Sequence, residues 1–167
     1  MEFTEAKKSF IQLWGNFGSQ WGINKSMAQL HALLLVSTRP MHTDEIMETL
    51  SISRGNANMN MRDLLSWNLI YKVSVQGDRR EYFRAEKDMW EVAKRITRER
   101  KRREIEPLQQ HLIELSKVEG AETADKAEFE LTIAHISRLV SRMDSMTDAL
   151  MKADEHAFFG KILNLLK

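Results

Sequence analysis

Residues 43–67 constrain the fold of this chain more than any other stretch, because their pattern fits two short helices joined by a tight turn. Thr43 is suited to cap the first helix, and Asp44 and Glu45 follow in its first turn, where carboxylates interact favourably with the positive helix end. Ser53 is suited to cap the second helix. The apolar residues of that helix recur at the spacing of one buried face: Ala57, Met61, Leu64 and Leu65. The pattern predicts a helix-turn-helix.

The opposite face of the second helix is polar and basic, with little acid to repel a phosphate. It carries Gly55, Met59, Arg62 and Ser66, flanked by Asn56, Asn58 and Asn60. Such a face suits the major groove of DNA. Asparagine and glycine are poor helix formers, so a loop is the local alternative.

Composition limits the classes of protein to which the chain can belong. Its 167 residues and 43% hydrophobic content are enough for one ordinary domain, or for a small domain with a helical extension. We expect a cytoplasmic protein with no membrane partner, because no apolar run is long enough to span a bilayer, the N-terminus lacks signal-peptide features and cysteine is absent.

Charge is distributed unevenly along the chain. The balance of basic over acidic residues is −1 for residues 1–50, +7 for residues 51–103 and −5 for residues 104–167. The positive excess therefore coincides with the predicted helix-turn-helix, as expected of a surface that contacts a phosphate backbone.

Two β-rich segments follow the helix-turn-helix, at residues 70–76 and 81–85. They are joined around Gly77 and Asp78, with Arg79 and Arg80 alongside, which predicts a hairpin with a basic tip. A hairpin that only closes the core is the alternative. The order of helix-turn-helix and basic hairpin is nevertheless that of a winged helix, and it favours DNA binding more than either part alone.

Residues 52–83 resemble the GbsR-type branch of the MarR superfamily of winged helix-turn-helix transcriptional regulators. The resemblance lies in residues 53–56 (SRGN), in Met59, Arg62 and Trp67, and in residues 77–82 (GDRREY). In that superfamily an Asp-x-Arg pair in the wing positions an arginine for the DNA backbone or minor groove, and Asp78 and Arg80 match it. The resemblance implies a dimeric transcription factor, commonly a repressor, and some relatives govern glycine betaine or choline metabolism.

We therefore predict a mainly α fold with a small β-hairpin wing. Residues 1–25 would form an N-terminal helix packing in the dimer region, residues 26–87 the winged helix-turn-helix domain, and residues 88–167 a long helical dimerisation region. Gly15 and Gly18 inside the first helix indicate either an early end or a close approach of another backbone. The chain closes with an apolar helix at residues 156–167.

Long helices with apolar faces indicate a homodimer. Between residues 129 and 150, apolar side chains alternate at spacings of four and three, which is a heptad seam suited to a partner helix. Its members are Phe129, Ile133, Ile136, Val140, Met143, Thr147 and Leu150. The basic run at residues 98–103 has no apolar stripe, so it is either a solvated face, a second phosphate contact or a lever through solvent.

The predicted function is sequence-specific DNA binding as a homodimer, with the second helix in the major groove of an operator and the wing on the backbone or minor groove. The predicted DNA contacts are Thr43, Ser53, Arg54, Gly55, Asn56, Asn58, Met59, Arg62, Lys72, Arg79 and Arg80. The alternative is a winged-helix module for protein contacts alone. We expect no enzyme, no cofactor and no metal, because the five histidines are scattered and no catalytic motif is present.

A small-molecule effector such as choline or a betaine-like compound is predicted only if the resemblance extends to the ligand. A quaternary ammonium group is attracted to the faces of aromatic rings. The candidate box is Trp14, Phe17, Trp21, Trp67 and Trp90, and the alternative is that these side chains pack in the core.

Overall fold

The computed structural model describes residues 1–120 and 123–153, so the apolar helix predicted for residues 156–167 lies outside the described residues. The chain divides into two compact units, Met1–Val92 and Ala93–Lys167. The helices formed by the described residues are all too short or too polar to cross a membrane.

The first unit begins with helix α1 (Phe3–Gln20) and helix α2 (Lys25–Leu35). Gly22 turns the chain between them at φ +75°, a left-handed conformation that glycine adopts without steric cost. The side chain of Asn24 then caps α2 by accepting a hydrogen bond from the Met27 N–H at 3.2 Å. The two helices pack against each other.

Glycines allow this helix pair to pack closely. A Cβ added at Gly18 would lie 2.6 Å from the Ala28 Cβ, and one added at Gly15 would lie 2.5 Å from the Gln29 Cγ. Both glycines are buried. Of the two explanations that the sequence left open, the structure therefore supports close approach of a second helix, and α1 continues past both glycines.

Helix α2 is the centre of the first unit. Leu30, Leu33 and Leu34 are at most 1% exposed, which fits the continuous apolar run in this part of the sequence. Lys87 stabilises the C-terminal end of α2, because its ammonium group donates to the backbone carbonyls of Leu34, Leu35 and nearby Ser37. A cation at this position satisfies carbonyls that have no partner within the helix.

The helix-turn-helix follows as α3 (Thr43–Leu50) and α4 (Arg54–Ser66), preceded by a two-residue strand β1 (Met41–His42). The prediction that Thr43 caps α3 is wrong. Thr43 is the first helical residue, and the preceding His42 holds the cap position with its backbone N–H bonded to the Glu45 carboxylate at 3.1 Å. The extended backbone of β1 places the cap one residue earlier than side-chain preference indicated.

The wing is a hairpin of β2 (Ile70–Val73) and β3 (Tyr82–Ala85). Strand β1 joins it to give a three-stranded antiparallel sheet in the order β1-β3-β2. The predicted hairpin and the mainly helical fold class are confirmed. The third strand was not predicted, because two residues are too few for a period-2 pattern.

Helix α5 (Met89–Arg100) begins in the first unit and continues into the second, since the division falls after Val92. The second unit also contains a π-helical turn (Lys101–Ile105), α6 (Glu106–Leu115) and α7 (Ala124–Lys152). Pro107 lies in the first turn of α6. Proline has no N–H and its ring crowds the carbonyl four residues before it, which explains why the turn ahead of Pro107 is widened. The core of this unit joins Leu112, Ile133 and Val140, with Ile105 packed against them.

Candidate nucleic-acid interface

The turn between α3 and α4 is fixed by backbone and side-chain hydrogen bonds. Ser51 adopts a left-handed conformation at φ 53° and ends α3, and the Ile52 N–H donates to the Met47 carbonyl at 3.1 Å. As predicted, Ser53 caps α4, because its hydroxyl accepts from the Asn56 N–H at 3.3 Å. The start of the predicted recognition helix is therefore set by its own sequence.

Three of the four residues predicted for the buried face of α4 are buried, Leu65 is half-buried, and one residue is added. Ala57, Met61 and Leu64 are at most 4% exposed and pack in the core of the first unit. Asn60 was predicted to flank the exposed face, and this is wrong, since it is 0% exposed. Its Nδ2 donates to the Asn56 Oδ1. The side-chain oxygen of Asn56 is therefore occupied by a hydrogen bond within α4.

The exposed face of α4 carries Gly55, Asn58, Met59, Arg62 and Ser66. Met59 is 48% exposed, which is high for a large apolar side chain. Within residues 1–120 and 123–153, Arg62 has neither an ion-pair nor a hydrogen-bond partner. This face therefore presents a free guanidinium, an amide and a thioether on one rigid helix.

Arg54, at the start of α4, pairs with Asp44 of α3 at 2.5 Å. Both side chains are more than half exposed, at 63% and 56%. Exposed ion pairs contribute about 0–1 kcal/mol, so exchanging Asp44 for a phosphate costs Arg54 little.

The loop of the wing is shaped by Gly77 at φ +83° and by a hydrogen bond of 3.1 Å from the Asp78 N–H to the Val75 carbonyl. At its sides, Lys72 pairs with Glu81 at 2.6 Å, again with both side chains exposed. Arg79 is exposed and makes no ion pair in the described part of the chain.

Arg80 is held from several sides. Its Nε lies 2.9 Å and its Nη2 2.5 Å from the Asp78 Oδ2, and its Nη2 donates to the Tyr82 hydroxyl at 3.1 Å. The Tyr82 hydroxyl in turn donates to the Asp78 Oδ2 at 2.8 Å. The guanidinium of Arg80 holds the pKa of Asp78 well below its usual range, and the Asp78 carboxylate raises the pKa of Arg80. The predicted Asp-x-Arg pair is therefore formed.

His42 connects this cluster to the helix-turn-helix, a role that sequence reasoning missed. Its Nε2 lies 3.0 Å from the Arg80 Nη1, and its ring meets the Tyr82 ring edge-on with centroids 5.5 Å apart. Glu45, which accepts from the His42 N–H, also pairs with Arg39 at 2.5 Å, and the hydrogen bond from Arg39 lowers the pKa of Glu45. The contact spans 38 residues, so no local pattern in the sequence signals it.

The predicted effector aromatics divide into two groups. Trp14, Phe17 and Trp21 form a row along α1, with ring centroids 6.1 Å and 5.4 Å apart, and Phe17 and Trp21 are about half exposed. Trp67 follows α4 and is 7% exposed, and Trp90 lies in the first turn of α5. A row on one helix is not a box around a cation, and ligand binding by these residues stays a prediction.

An open cavity of about 430 Å³ lies between the end of α2 and the sheet, with Arg39, Tyr71, Arg84 and Lys87 among its lining residues. Its cations are engaged: Lys87 caps α2, Arg39 pairs with Glu45, and the Arg84 guanidinium lies 5.9 Å from the centre of the Tyr71 ring. Each of these cations therefore already has a contact within the first unit.

The charges of the basic run at residues 98–103 are largely paired inside the second unit. The pairs are Arg100 with Glu104 at 3.1 Å, Lys101 with Asp144 at 2.9 Å, and Arg102 and Arg103 with Glu99 at 2.7 Å and 3.4 Å. Asp148 and Asp144 raise the pKa of Lys101. Of the three interpretations that the sequence left open, a solvated and internally paired face fits these contacts best.

The heptad seam of α7 separates into two lines. Ile133 and Val140 are buried against Leu112 of the same chain. Phe129, Ile136 and Met143 are 39–50% exposed. The seam as a dimer contact stays a prediction, but the line of Ile133 and Val140 already has an intramolecular partner.

A helix-turn-helix followed by a β-hairpin and closed by an edge strand defines this protein as a winged helix-turn-helix. Residues 21–81 match the model of the MarR family. This match agrees with the resemblance to the MarR superfamily over that segment, while the GbsR-type branch stays a prediction. None of the described residues form a group of three or more His, Asp or Glu that could hold a metal ion.

Solved structures that are similar to this chain include two with low sequence identity. One is a crystal structure described as a transcriptional regulator, with 21% sequence identity, a TM-score of 0.66, and coverage of 87% of this chain and 95% of that chain. The other is a mutant of S. aureus MepR bound to an oligodeoxyribonucleotide, with 15% identity, a TM-score of 0.41, and coverage of 84% and 91%. No curated protein sequence matches the chain. The first similarity supports the fold.

Proposed function

We propose that the protein is a sequence-specific DNA-binding transcriptional regulator that works as a homodimer. The observation that carries this proposal is the exposed face of α4, where Arg62 has no partner among the described residues. The wing arginines Arg79 and Arg80 belong to the same compact unit. The MarR family match over residues 21–81 supports the same class of protein.

In this proposal α4 lies in the major groove and the wing lies along the backbone or in the minor groove. An arginine reads guanine by two parallel hydrogen bonds, and an asparagine reads adenine in the same way. Arg62 and Asn58 are the residues of the exposed face with this chemistry, and Met59 offers an apolar contact for a thymine methyl group. Arg54, Lys72 and Arg79 are suited to phosphate contacts, which set position rather than sequence.

The homodimer is supported by apolar side chains of α7 that are exposed within the described part of the chain. Phe129, Ile136, Leu139, Met143 and Met146 are 39–73% exposed and recur at spacings of seven, three, four and three. Two copies would present two recognition helices to successive major grooves, about 34 Å apart on one side of the duplex.

Repression, membership of the GbsR-type branch and a choline- or betaine-like effector belong to the same proposal. They are supported by the sequence motifs at residues 53–56 and 77–82. The aromatic row of Trp14, Phe17 and Trp21 is the part of the structure that offers ring faces to such a cation. A regulator of this kind acts on chromosomal DNA, so we place it in the cytoplasm and propose a binding role rather than catalysis.

Selection of bound genomic fragments, followed by sequencing, is the experiment that tests this function. It would give the operator and, from the neighbouring genes, a shortlist of effectors. Recovery of random fragments with no shared site would contradict sequence-specific binding.

The contacts are tested with duplexes that carry the recovered operator. We expect Arg62→Ala to lose about 1–3 kcal/mol of binding free energy and to relax specificity at one position, because a base contact is removed. Arg80→Ala should weaken all sequences alike and reduce the salt dependence of binding by about one counterion. Arg138→Ala, an exposed arginine of α7, is the charge-matched control. Unchanged affinity in both test variants would contradict the proposal and favour a module for protein contacts.

A further inference from the structure

The position of Arg80 depends on an acceptor supplied by a distant part of the chain. A guanidinium group has five N–H donors and no acceptor. The hydrogen bonds to Asp78 and Tyr82 use the Nε donor and both Nη2 donors. The contact of 3.0 Å with the His42 Nε2 uses one of the two Nη1 donors. A single Nη1 donor is left for a phosphate oxygen.

The His42 contact decides where that last donor points. Asp78 and Tyr82 hold the Nε and Nη2 edge of the guanidinium, and His42 holds the Nη1 edge. The guanidinium group is planar, and contacts along its Nε and Nη2 edge alone leave it free to rotate about that edge. The His42 contact on the Nη1 edge prevents this rotation.

His42 is itself well anchored. Its side chain is 13% exposed, and its ring packs edge-on against Tyr82, which is also its neighbour in the β1–β3 register. Its backbone N–H bonds to Glu45 in the first turn of α3, and Arg39 holds that carboxylate. The imidazole is therefore anchored both to the start of α3 and to strand β3 of the wing.

Charged and polar groups surround the ring. Arg80 can only donate, so its hydrogen bond with His42 requires the His42 Nε2 to accept. Asp44 faces the Nδ1 at 3.9 Å and Glu45 faces the Nε2 at 3.7 Å, both beyond hydrogen-bond distance. Apart from these carboxylates and Arg80, the described groups that bear on the ring are Tyr82, against its edge, and Arg39, through Glu45.

We infer that His42 is a positioning residue for DNA binding. It links the N-terminus of α3 to the wing and directs the free donor of Arg80 toward the phosphate that the wing meets. The inference rests on the proposed function, in which Arg80 contacts DNA, and it assigns the wing geometry to a residue outside the wing.

A double-mutant cycle with a conservative rescue tests the inference. His42→Phe keeps a ring against Tyr82 and removes the acceptor, His42→Leu removes both, and His42→Gln keeps a neutral acceptor. Each is combined with Arg80→Ala, and affinity is measured on fluorescent duplexes with the selected operator and with a scrambled sequence of equal length. Thermal unfolding identifies which acceptor-free variant is folded, and that variant is used.

The expected result is a roughly threefold to tenfold loss of affinity in the acceptor-free variant, on both duplexes, and recovery in His42→Gln. In the Arg80→Ala background the same substitution should have no further effect, because His42 acts through Arg80. Additive losses, or a His42→Gln variant as weak as the acceptor-free one, would overturn the inference. If Arg62→Ala and Arg80→Ala also leave binding unchanged, the proposed function itself fails, so the two failures are distinguishable.

Discussion

At the scale of single residues, His31 makes the stability of the first unit dependent on pH. It lies in α2, is 3% exposed, and has its ring 6.4 Å from the Trp14 ring. Its Nε2 has no hydrogen-bond partner in the described part of the chain. Burial, with a smaller contribution from the positive charge of Lys87, lowers the pKa of His31 from 6.5 to about 4. The native state therefore holds this ring neutral.

This shift predicts a loss of stability in mild acid. Below pH 6.5 the His31 ring is protonated in the unfolded chain, whereas in the folded chain it stays neutral until the pH falls to about 4. The free energy of unfolding therefore decreases between pH 6.5 and about 4. The expected loss between about pH 7 and pH 5 is about 2 kcal/mol. His31→Leu should remove this slope, as measured by urea unfolding at both values, while His135→Leu on exposed α7 should retain it. An equal slope in His31→Leu and the wild type would contradict the assignment.

Residue types and spacing were enough to predict several members of the site but not their partners. The Asp78–Arg80 pair is two residues apart, so the sequence could indicate it. Burial of Asn60 could not be predicted, because an asparagine on a helix normally faces solvent, whereas here its Nδ2 donates to the Asn56 side chain one turn earlier. The contact between His42 and Arg80 depends on the sheet register.

At the scale of elements, the packing of α1 on α2 depends on the absence of a side chain at Gly18. A methyl group there would lie 2.6 Å from the Ala28 Cβ, which cannot move away without shifting a helix. We expect Gly18→Ala to destabilise the protein by about 1–3 kcal/mol, since overpacking outweighs the gain in helix propensity of about 1 kcal/mol.

Two other glycines serve as controls for this prediction. Gly15→Ala meets the side chain of Gln29, which can rotate, so we expect a smaller loss. Gly55→Ala in α4 meets nothing within 4 Å and should not destabilise the fold. Urea unfolding of the three variants gives the order, and a Gly18→Ala variant as stable as Gly55→Ala would show that the helices separate at no cost.

The existence of α1 was predictable, whereas the face that it buries was not. Leu13, Phe17 and Trp21 recur every four residues in the sequence and form an apolar stripe, but they are 47–65% exposed. The face against α2 instead contains Ile11 with the two glycines. Periodicity identifies an apolar face, but the smallest residues determine where another helix comes closest. The exposed stripe is available to a second chain, as the predicted packing of residues 1–25 in a dimer region requires.

At the scale of the whole molecule, the proposed dimer determines whether two recognition helices act together. Helix α7 has one line of buried apolar residues and a neighbouring line of exposed ones. Ile133 and Val140 hold their own unit together, whereas Ile136 and Met143 are 39% and 50% exposed on the neighbouring line. A charge on one line or the other should therefore have different consequences.

We expect the double substitution Ile136→Lys and Met143→Lys to convert a dimer into a folded monomer, because like charges would be placed in the pairing surface of both copies. Ile133→Lys should instead unfold part of the second unit, because it buries a charge against Leu112. Sedimentation equilibrium separates the first outcome and circular dichroism the second. Operator affinity should fall in the monomer, since only one half-site is held at a time. A wild-type monomer, or a double variant that sediments as a dimer, would contradict this assignment of the surface.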